Sequence, residues 1–272
     1  MKFRIFLGLV AFSLGTGHSE GEEKQWFVDR NLVYERGSSL SEEYLGKHRP
    51  EFSKKLKFVI PWIVRIEVRH SYLKDGYSSN HGTGIILKGG QVLTAKHVLN
   101  EKAKEGKKKI ILTTTDGRGF PAEVIKEGEK DWIMLQITEK ENREIAMKSP
   151  VVMGKATSKQ TAAFFGYPAR LGLDEKGRVK SFHQGNETKG VPASKLSPLL
   201  VVATVSDPEA MKLKPLAGFP PVGGMSGGPV LNVEGKVIGV QNSVSKTTEN
   251  ATGKVLYYTI NATPTSYVTG DR

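Results

Sequence analysis

Gly223-Gly224-Met225-Ser226-Gly227-Gly228-Pro229 is the stretch on which the reading of this 272-residue chain turns. One serine stands among four glycines, with a proline and the apolar pair Val230-Leu231 behind it. A serine hydroxyl is a weak nucleophile at neutral pH. A site that uses one needs a tight turn free of Cβ atoms, a base in reach and backbone N–H groups facing the oxyanion. This stretch offers the turn and the donors. Read blandly, it is a glycine-rich loop between strands, which is ordinary turn chemistry.

Chain order decides which serine chemistry stays open. Gly224-Met225-Ser226-Gly227-Gly228 also fits the G-x-S-x-G elbow, in which an acid and then a histidine follow the serine. All six histidines (His18, His48, His70, His81, His97, His183) precede Ser226, which sets the elbow aside. The order His, Asp, Ser remains. His97 ends a stretch, residues 82–99, that reads as a hairpin followed by a short helical turn; His81 and His183 have much less strand-end context. A lone histidine in such a place is ordinarily a half-buried packing residue, so its case rests on its joint occurrence with Ser226. As general base it would contribute about 10²–10⁴-fold. The acids between the two include Asp116, Glu123, Glu127, Glu129, Asp131 and Glu139. Asp131 opens Asp131-Trp132-Ile133-Met134-Leu135-Gln136-Ile137, at the entrance to a buried strand, whereas the others sit in charged surroundings. Without a catalytic role, Asp131 is a turn residue that starts that strand.

A chain with 38% hydrophobic and 25% charged residues is globular over most of its length, and its thirty glycines between short β-rich runs point to an all-β architecture. Apolar alternation from residue 57 marks a strand over 58–68, followed by a polar loop over 71–80. The hairpin of 82–94 and strands at 109–115, 120–126 and 132–137 complete a first half. A polar connection over 138–149 leads to a second half with strands at 151–153, 161–165, 178–182, 199–205, 229–232, 237–243 and 255–260. The interval 167–222 is rich in Gly, Pro and Lys and carries only two good strands, as loops that bind or regulate do. No internal repeat is visible, so any duplication is structural.

Lys2 and Arg4 precede the apolar run 5–14, and small residues follow over 15–19: the layout of a secretory signal peptide cleaved between 15 and 20. The run is too short to span a bilayer; its other reading is an apolar strand or anchor. With no cysteine, the chain has neither a lipobox anchor nor disulfides, and its core alone must hold it, as in bacterial periplasmic or secreted proteins. Residues 20–56 read as a linker, a pro-segment or a packed arm, with a short helix at 41–45. Net charge is +12, with basic clusters at 54–57 and 102–109. No aromatic-interleaved basic motif is present, so nucleic acid is not an expected partner, and attraction to acidic envelope or cell-surface material is.

Together, Leu93-Thr94-Ala95-Lys96-His97, Asp131-Trp132-Ile133-Met134-Leu135 and Gly224-Met225-Ser226-Gly227-Gly228-Pro229 resemble the histidine, aspartate and serine motifs of the trypsin-like serine proteases of chymotrypsin fold, in particular the cysteine-free bacterial kind related to HtrA/Deg. The resemblance covers roughly residues 58–265. It implies two six-stranded antiparallel β-barrels with the active site in the cleft between them. The expected divisions are a signal peptide (1–19), an extension (20–56), a protease domain (57–265, with barrels over 57–140 and 150–265) and a tail (266–272). By motif, the resemblance makes His97, Asp131 and Ser226 catalytic and the N–H groups of Gly224 and Ser226 the oxyanion hole. It gives Asn242, Ser243 and Val244 the pairing of an extended protein or peptide substrate. It implies no cofactor and no metal.

Five departures qualify the resemblance. Met225 stands where the family often has Asp or Asn, and Lys96 where it has a small residue. Pro220, at the position that carries an acid in enzymes cutting after Arg or Lys, argues instead for a small or medium apolar residue before the scissile bond. Ile63-Val64 lies inside a strand, well past the expected signal cleavage, against activation by a freed amino end. The short stretch after the last strand leaves no room for a PDZ module. The expected activity is that of an exported serine endopeptidase; the rivals are a catalytically silent binding module that keeps its triad and a basic surface-binding protein.

Overall fold

Strand β1 (Ile63–Ser71) shows how the first half chooses its sheet. Val64, Ile66 and Val68 are fully buried, while Arg65, Glu67 and Arg69 alternate with them toward solvent. That period of two makes one face of a strand apolar. The computed structural model describes residues 42–71, 77–99, 108–168, 170–173, 179–181, 190–192, 198–217, 223–249 and 255–270. The leader expected over 1–19 and the start of the extension lie outside the described residues, as does Pro220.

From β1 the chain continues through β2 (Tyr77–Ile86), β3 (Gln91–Thr94), β4 (Lys108–Thr114), β5 (Gly119–Glu127) and β6 (Ile133–Ile137). These close into a barrel in the order β1-β2-β3-β6-β5-β4, every pairing antiparallel. Helix α3 (Lys140–Ala146) lies in the polar connection to the second half. There β7 (Thr161–Gly166), β11 (Leu199–Asp207), β12 (Lys212–Ala217), β13 (Pro229–Asn232), β14 (Val237–Thr248) and β15 (Val255–Pro264) form a second closed barrel in the order β11-β12-β15-β14-β13-β7. Strands β8 (Arg170–Leu173), β9 (Val179–Ser181) and β10 (Gly190–Pro192) make a separate small sheet. The fold is therefore all-β, with two six-stranded antiparallel barrels of chymotrypsin-like type. Closure gives every strand of each barrel a neighbour on both sides for at least part of its length.

The continuous apolar runs of β7 and β11 follow from burial on both faces. Phe164, Leu199, Val201 and Val205 fill the interior of the second barrel. Their sequence neighbours Ala163, Phe165, Leu200 and Val202 join a core shared with first-barrel residues such as Ile85, Leu93 and Leu135. The two barrels are thus packed through a common apolar layer.

Several expectations are corrected. The strand expected from 58 starts only at Ile63; residues 42–48 form α1, Pro50–Val59 form α2, and a 3-10 turn covers Ile60–Trp62. Phe52, Leu56 and Val59, at helical spacing, are buried in the shared core, and Phe58 is left outside at 73% exposure. Residues 151–153 form no strand, only an isolated bridge from Met153 to Val237. β2 begins at Tyr77, inside the stretch read as loop. The interval 167–222 holds β8, β10 and β12 besides the two strands read there. Among the described residues no helix is long and apolar enough to cross a membrane.

Candidate active site

His97 is presented by the 3-10 turn Lys96–Val98 that follows β3. Val98 and Leu99 are buried and pin the turn, and the imidazole before them stays partly exposed. Opposite it, Asp131 precedes β6, held by the buried pair Trp132 and Ile133. The two residues meet at two points. The backbone N–H of His97 donates to Asp131 Oδ1 at 2.9 Å, and His97 Nδ1 lies 2.6 Å from Asp131 Oδ2. Burial pushes the Asp131 carboxyl up, but the hydrogen bonds and charge of His97 outweigh it and hold the group below its ordinary value. An ionised carboxylate only accepts, so it selects the tautomer with the proton on Nδ1 and leaves Nε2 as a base.

A relay from the second barrel supports the aspartate from behind. The amide of Asn242 on β14 donates to Thr263 Oγ1 on β15 at 3.2 Å, and Thr263 Oγ1 donates to the Asp131 carbonyl at 3.3 Å. Lys96, the departure from the family pattern beside the histidine, turns to the surface and pairs with Glu127 at 2.9 Å.

The Ser226 loop lies between the barrels. Gly224 and Gly227 take φ values of +88° and +83°, a region that costs an L side chain roughly 1–2 kcal/mol, which is why glycines bracket the serine. Three bonds shape the turn: Gly227 N–H to the Gln241 carbonyl (2.7 Å), Gly228 N–H to the Met225 carbonyl (3.0 Å) and Gln241 N–H to the Gly228 carbonyl (2.9 Å). Met225 is fully buried in the second-barrel interior with Phe164, Val230 and Ile238. On the other side Thr83 of β2 holds the loop: its N–H donates to the Ser226 carbonyl at 2.8 Å and its hydroxyl to the Gly224 carbonyl at 3.1 Å. A Cβ on Gly227 would stand 3.0 Å from the amide nitrogen of Ala95, two residues before His97, so the serine loop and the histidine turn are in contact. Among the described residues, neither Gly224 N–H nor Ser226 N–H donates to a protein acceptor. Nor does a hydrogen bond join the Ser226 hydroxyl to His97.

The structure thus brings His97 and Asp131 into direct contact and lays the Ser226 loop beside them. Asn242 sits at a bulge between Gln241 and Ser243, Ser243 is exposed, and Asn261 Nδ2 donates to Ser243 Oγ at 3.1 Å. β13 pairs only as far as Val240, so from Asn242 onward β14 has β15 on one side and, among the described residues, no strand on the other. Val244 lies on that half-free stretch. Sequence reasoning missed Thr83 and Thr263. The signal for Thr83 was its setting in Gly82-Thr83-Gly84, where the strand comes too close to its neighbours for side chains: a Cβ on Gly84 would stand 2.9 Å from Ile66. Nothing in the sequence around Thr263 marks it. Among the described residues no group of three or more His, Asp or Glu gathers as a metal site requires.

No curated relative matches the chain. The family model of the trypsin-like peptidase domain does match, over residues 82–240, a span that runs from the strand carrying Thr83 through His97, Asp131 and Ser226 to β14, and the chain belongs to that family.

Proposed function

We propose that this chain is an exported serine endopeptidase that hydrolyses peptide bonds through an acyl-enzyme. The observation that carries the reading is the two-point hold of His97 by Asp131 beside a serine loop whose Gly224 and Ser226 N–H groups have no acceptor among the described residues. Two backbone donors flanking Ser226 that no protein acceptor takes up among the described residues are free to receive an oxyanion. In the proposed reaction His97 Nε2 takes the Ser226 proton as Oγ attacks the scissile carbonyl carbon. The carbonyl π pair moves onto oxygen, and the two N–H groups receive that oxyanion. Asp131 stabilises the imidazolium. As the tetrahedral centre collapses, the C–N bond breaks and His97 passes its proton to the leaving amine. Water then repeats the sequence on the ester and releases the acid and free Ser226.

The half-free edge of β14 from Asn242 to Val244 suits an extended peptide, which would add a strand there through backbone hydrogen bonds. The leader pattern over residues 1–19 supports export, and the net charge of +12 favours acidic surroundings. The open Ser226–His97 pair fits a resting site, because catalytic hydrogen bonds are often long until substrate binds. It is also the observation that favours a silent binding module. Labelling of the purified chain with an alkyl fluorophosphonate separates the two. The wild type should label, and Ser226→Ala and His97→Ala should not. Folded wild-type protein that stays unlabelled would refute the enzyme reading.

A further inference from the structure

Thr83 lies on β2 of the first barrel, is fully buried, and makes four hydrogen bonds at one point of the chain. Its N–H donates to the Ser226 carbonyl (2.8 Å) and its carbonyl accepts from Thr94 Oγ1 (2.6 Å). Its hydroxyl accepts from the Tyr167 N–H (2.7 Å) and donates to the Gly224 carbonyl (3.1 Å). A hydroxyl has one proton. With the Tyr167 N–H filling a lone pair, and with carbonyl oxygen able only to accept, that proton has one destination. It fixes the rotation of the Gly224–Met225 peptide, the plane that separates the Gly224 N–H from the Ser226 N–H. Gly224 lacks a Cβ and sits at φ +88°, so its own sterics do little to hold that plane.

We infer that Thr83 is a positioning residue for the oxyanion hole: its hydroxyl, supplied by the first barrel, sets the direction of two N–H donors carried by the loop of the second. The inference rests on the serine-protease reading above. It adds a residue that none of the three sequence motifs contains and that touches neither substrate nor the reacting atoms. It also gives the two barrels a joint task, because a peptide plane in one is oriented by a side chain of the other.

The test is the kinetics of inactivation of the full chain by an alkyl fluorophosphonate, whose phosphoryl oxygen occupies the oxyanion position, in Thr83→Val and Thr83→Ser. Thr83→Val keeps the shape and removes the donor. Its limiting inactivation rate should fall on the order of 10–100-fold, as misplacement of a reacting group does, while the probe concentration for half-maximal rate stays unchanged. Thr83→Ser restores the hydroxyl and should return the rate to near the wild-type value. A purely structural role would lower the melting temperature of Thr83→Val without this split between rate and binding. If Thr83→Val does not fold, Thr83→Ala replaces it under the same criteria. A folded donor-less variant that reacts at the wild-type rate overturns the inference, as does a Thr83→Ser variant as impaired as Thr83→Val. Wild-type protein that does not react overturns the enzyme reading and this inference with it, whereas a reactive wild type with an equally reactive Thr83→Val overturns this inference alone.

Discussion

Replacing Gly227 by alanine tests whether the serine loop owes its shape to close contact with the first barrel. The residue sits at φ +83°, where a side chain costs roughly 1–2 kcal/mol before any contact is counted. The added Cβ would collide with Thr94 Oγ1 and with the Thr83 carbonyl oxygen, and would stand 3.0 Å from Ala95 N. Thr94 can turn its hydroxyl aside. The Thr83 carbonyl and the Ala95 amide are backbone, so the loop must withdraw instead. Withdrawal stretches the Thr83 N–H bond to the Ser226 carbonyl (2.8 Å) and the Gly227 N–H bond to the Gln241 carbonyl (2.7 Å) together. A buried donor or acceptor left unpaired costs about 1–3 kcal/mol. The whole change is therefore expected to cost about 3–8 kcal/mol, a fall in Tm of roughly 6–32 °C for a chain of this size. Thermal melts followed by circular dichroism give the first quantity. Fluorophosphonate labelling below the transition gives the second, expected to drop on the order of 100-fold as Ser226 leaves its place beside His97. A variant that melts within about 2 °C of wild type and labels at the wild-type rate would refute the argument.

Four further outcomes follow from the same structure. Met225→Asn takes a fully buried thioether out of the second-barrel interior and puts an amide there; the lost burial and the desolvated amide should together cost about 3–5 kcal/mol, read as a lower denaturation midpoint in urea. Asp131→Asn keeps the size of the side chain but turns the His97 tautomer the wrong way, and should reduce labelling by about 10⁴-fold. The same pair reports on pH. Because the Asp131 carboxyl is held below its ordinary value, the folded state binds fewer protons than the unfolded state in mildly acid solution. Its stabilisation is full above about pH 4 and is lost as pH falls through the lower folded value, so the Tm gap between wild type and Asp131→Asn should close below about pH 4; a gap independent of pH would contradict it. Finally, Leu56 is 2% exposed on α2, and Leu56→Ala should lower the Tm of a single cooperative transition, by about 2–5 kcal/mol in stability. A separate early transition would show instead that α2 is only appended to the barrels.

The parts of the site that were legible in the sequence are those whose chemistry is local. Glycines must bracket Ser226 because two positions there have positive φ, and an aspartate that opens a buried strand needs only its next few residues to be recognised. The parts that were not legible depend on partners distant in the chain. Strand β12 contains Pro215, which argues against a strand on its own. It is tolerated because the β12 pairing with β15 is confined to Lys212 and Leu213 and because a register shift in β11 lies beside it. The run Phe58-Val59-Ile60 read as strand by composition. Phe58 and Val59 end α2 instead, and Ile60 opens a 3-10 turn, because Phe52, Leu56 and Val59 fall on one helical face, and that face had a core to cover. Thr263 could not be found at all, since its role exists only when β15 passes behind Asp131.

Two of the departures from the family pattern, at Ile63-Val64 and at Met225, bear on one physical point, how a serine loop is held without an inserted amino end. Ile63 and Val64 are both fully buried and are paired in β1 with Ile85 and Gly84, so this dipeptide cannot serve as a freed amino end that inserts elsewhere. Met225 correspondingly offers no carboxylate to receive one. The loop is fixed instead from two directions, by an apolar side chain sunk into the second barrel and by the backbone and hydroxyl of Thr83 in the first. Neither fixing depends on a new chain terminus, and both are complete once the barrels have closed and packed together. A buried thioether carries no charge to titrate or screen, whereas an ion pair weakens when a partner is neutralised or salt screens it, so the loop should keep its shape in any medium in which the barrels stay folded. On the proposed serine-protease reading, the donors around Ser226 are set by folding itself, and the step left to substrate is the closing of the Ser226–His97 hydrogen bond.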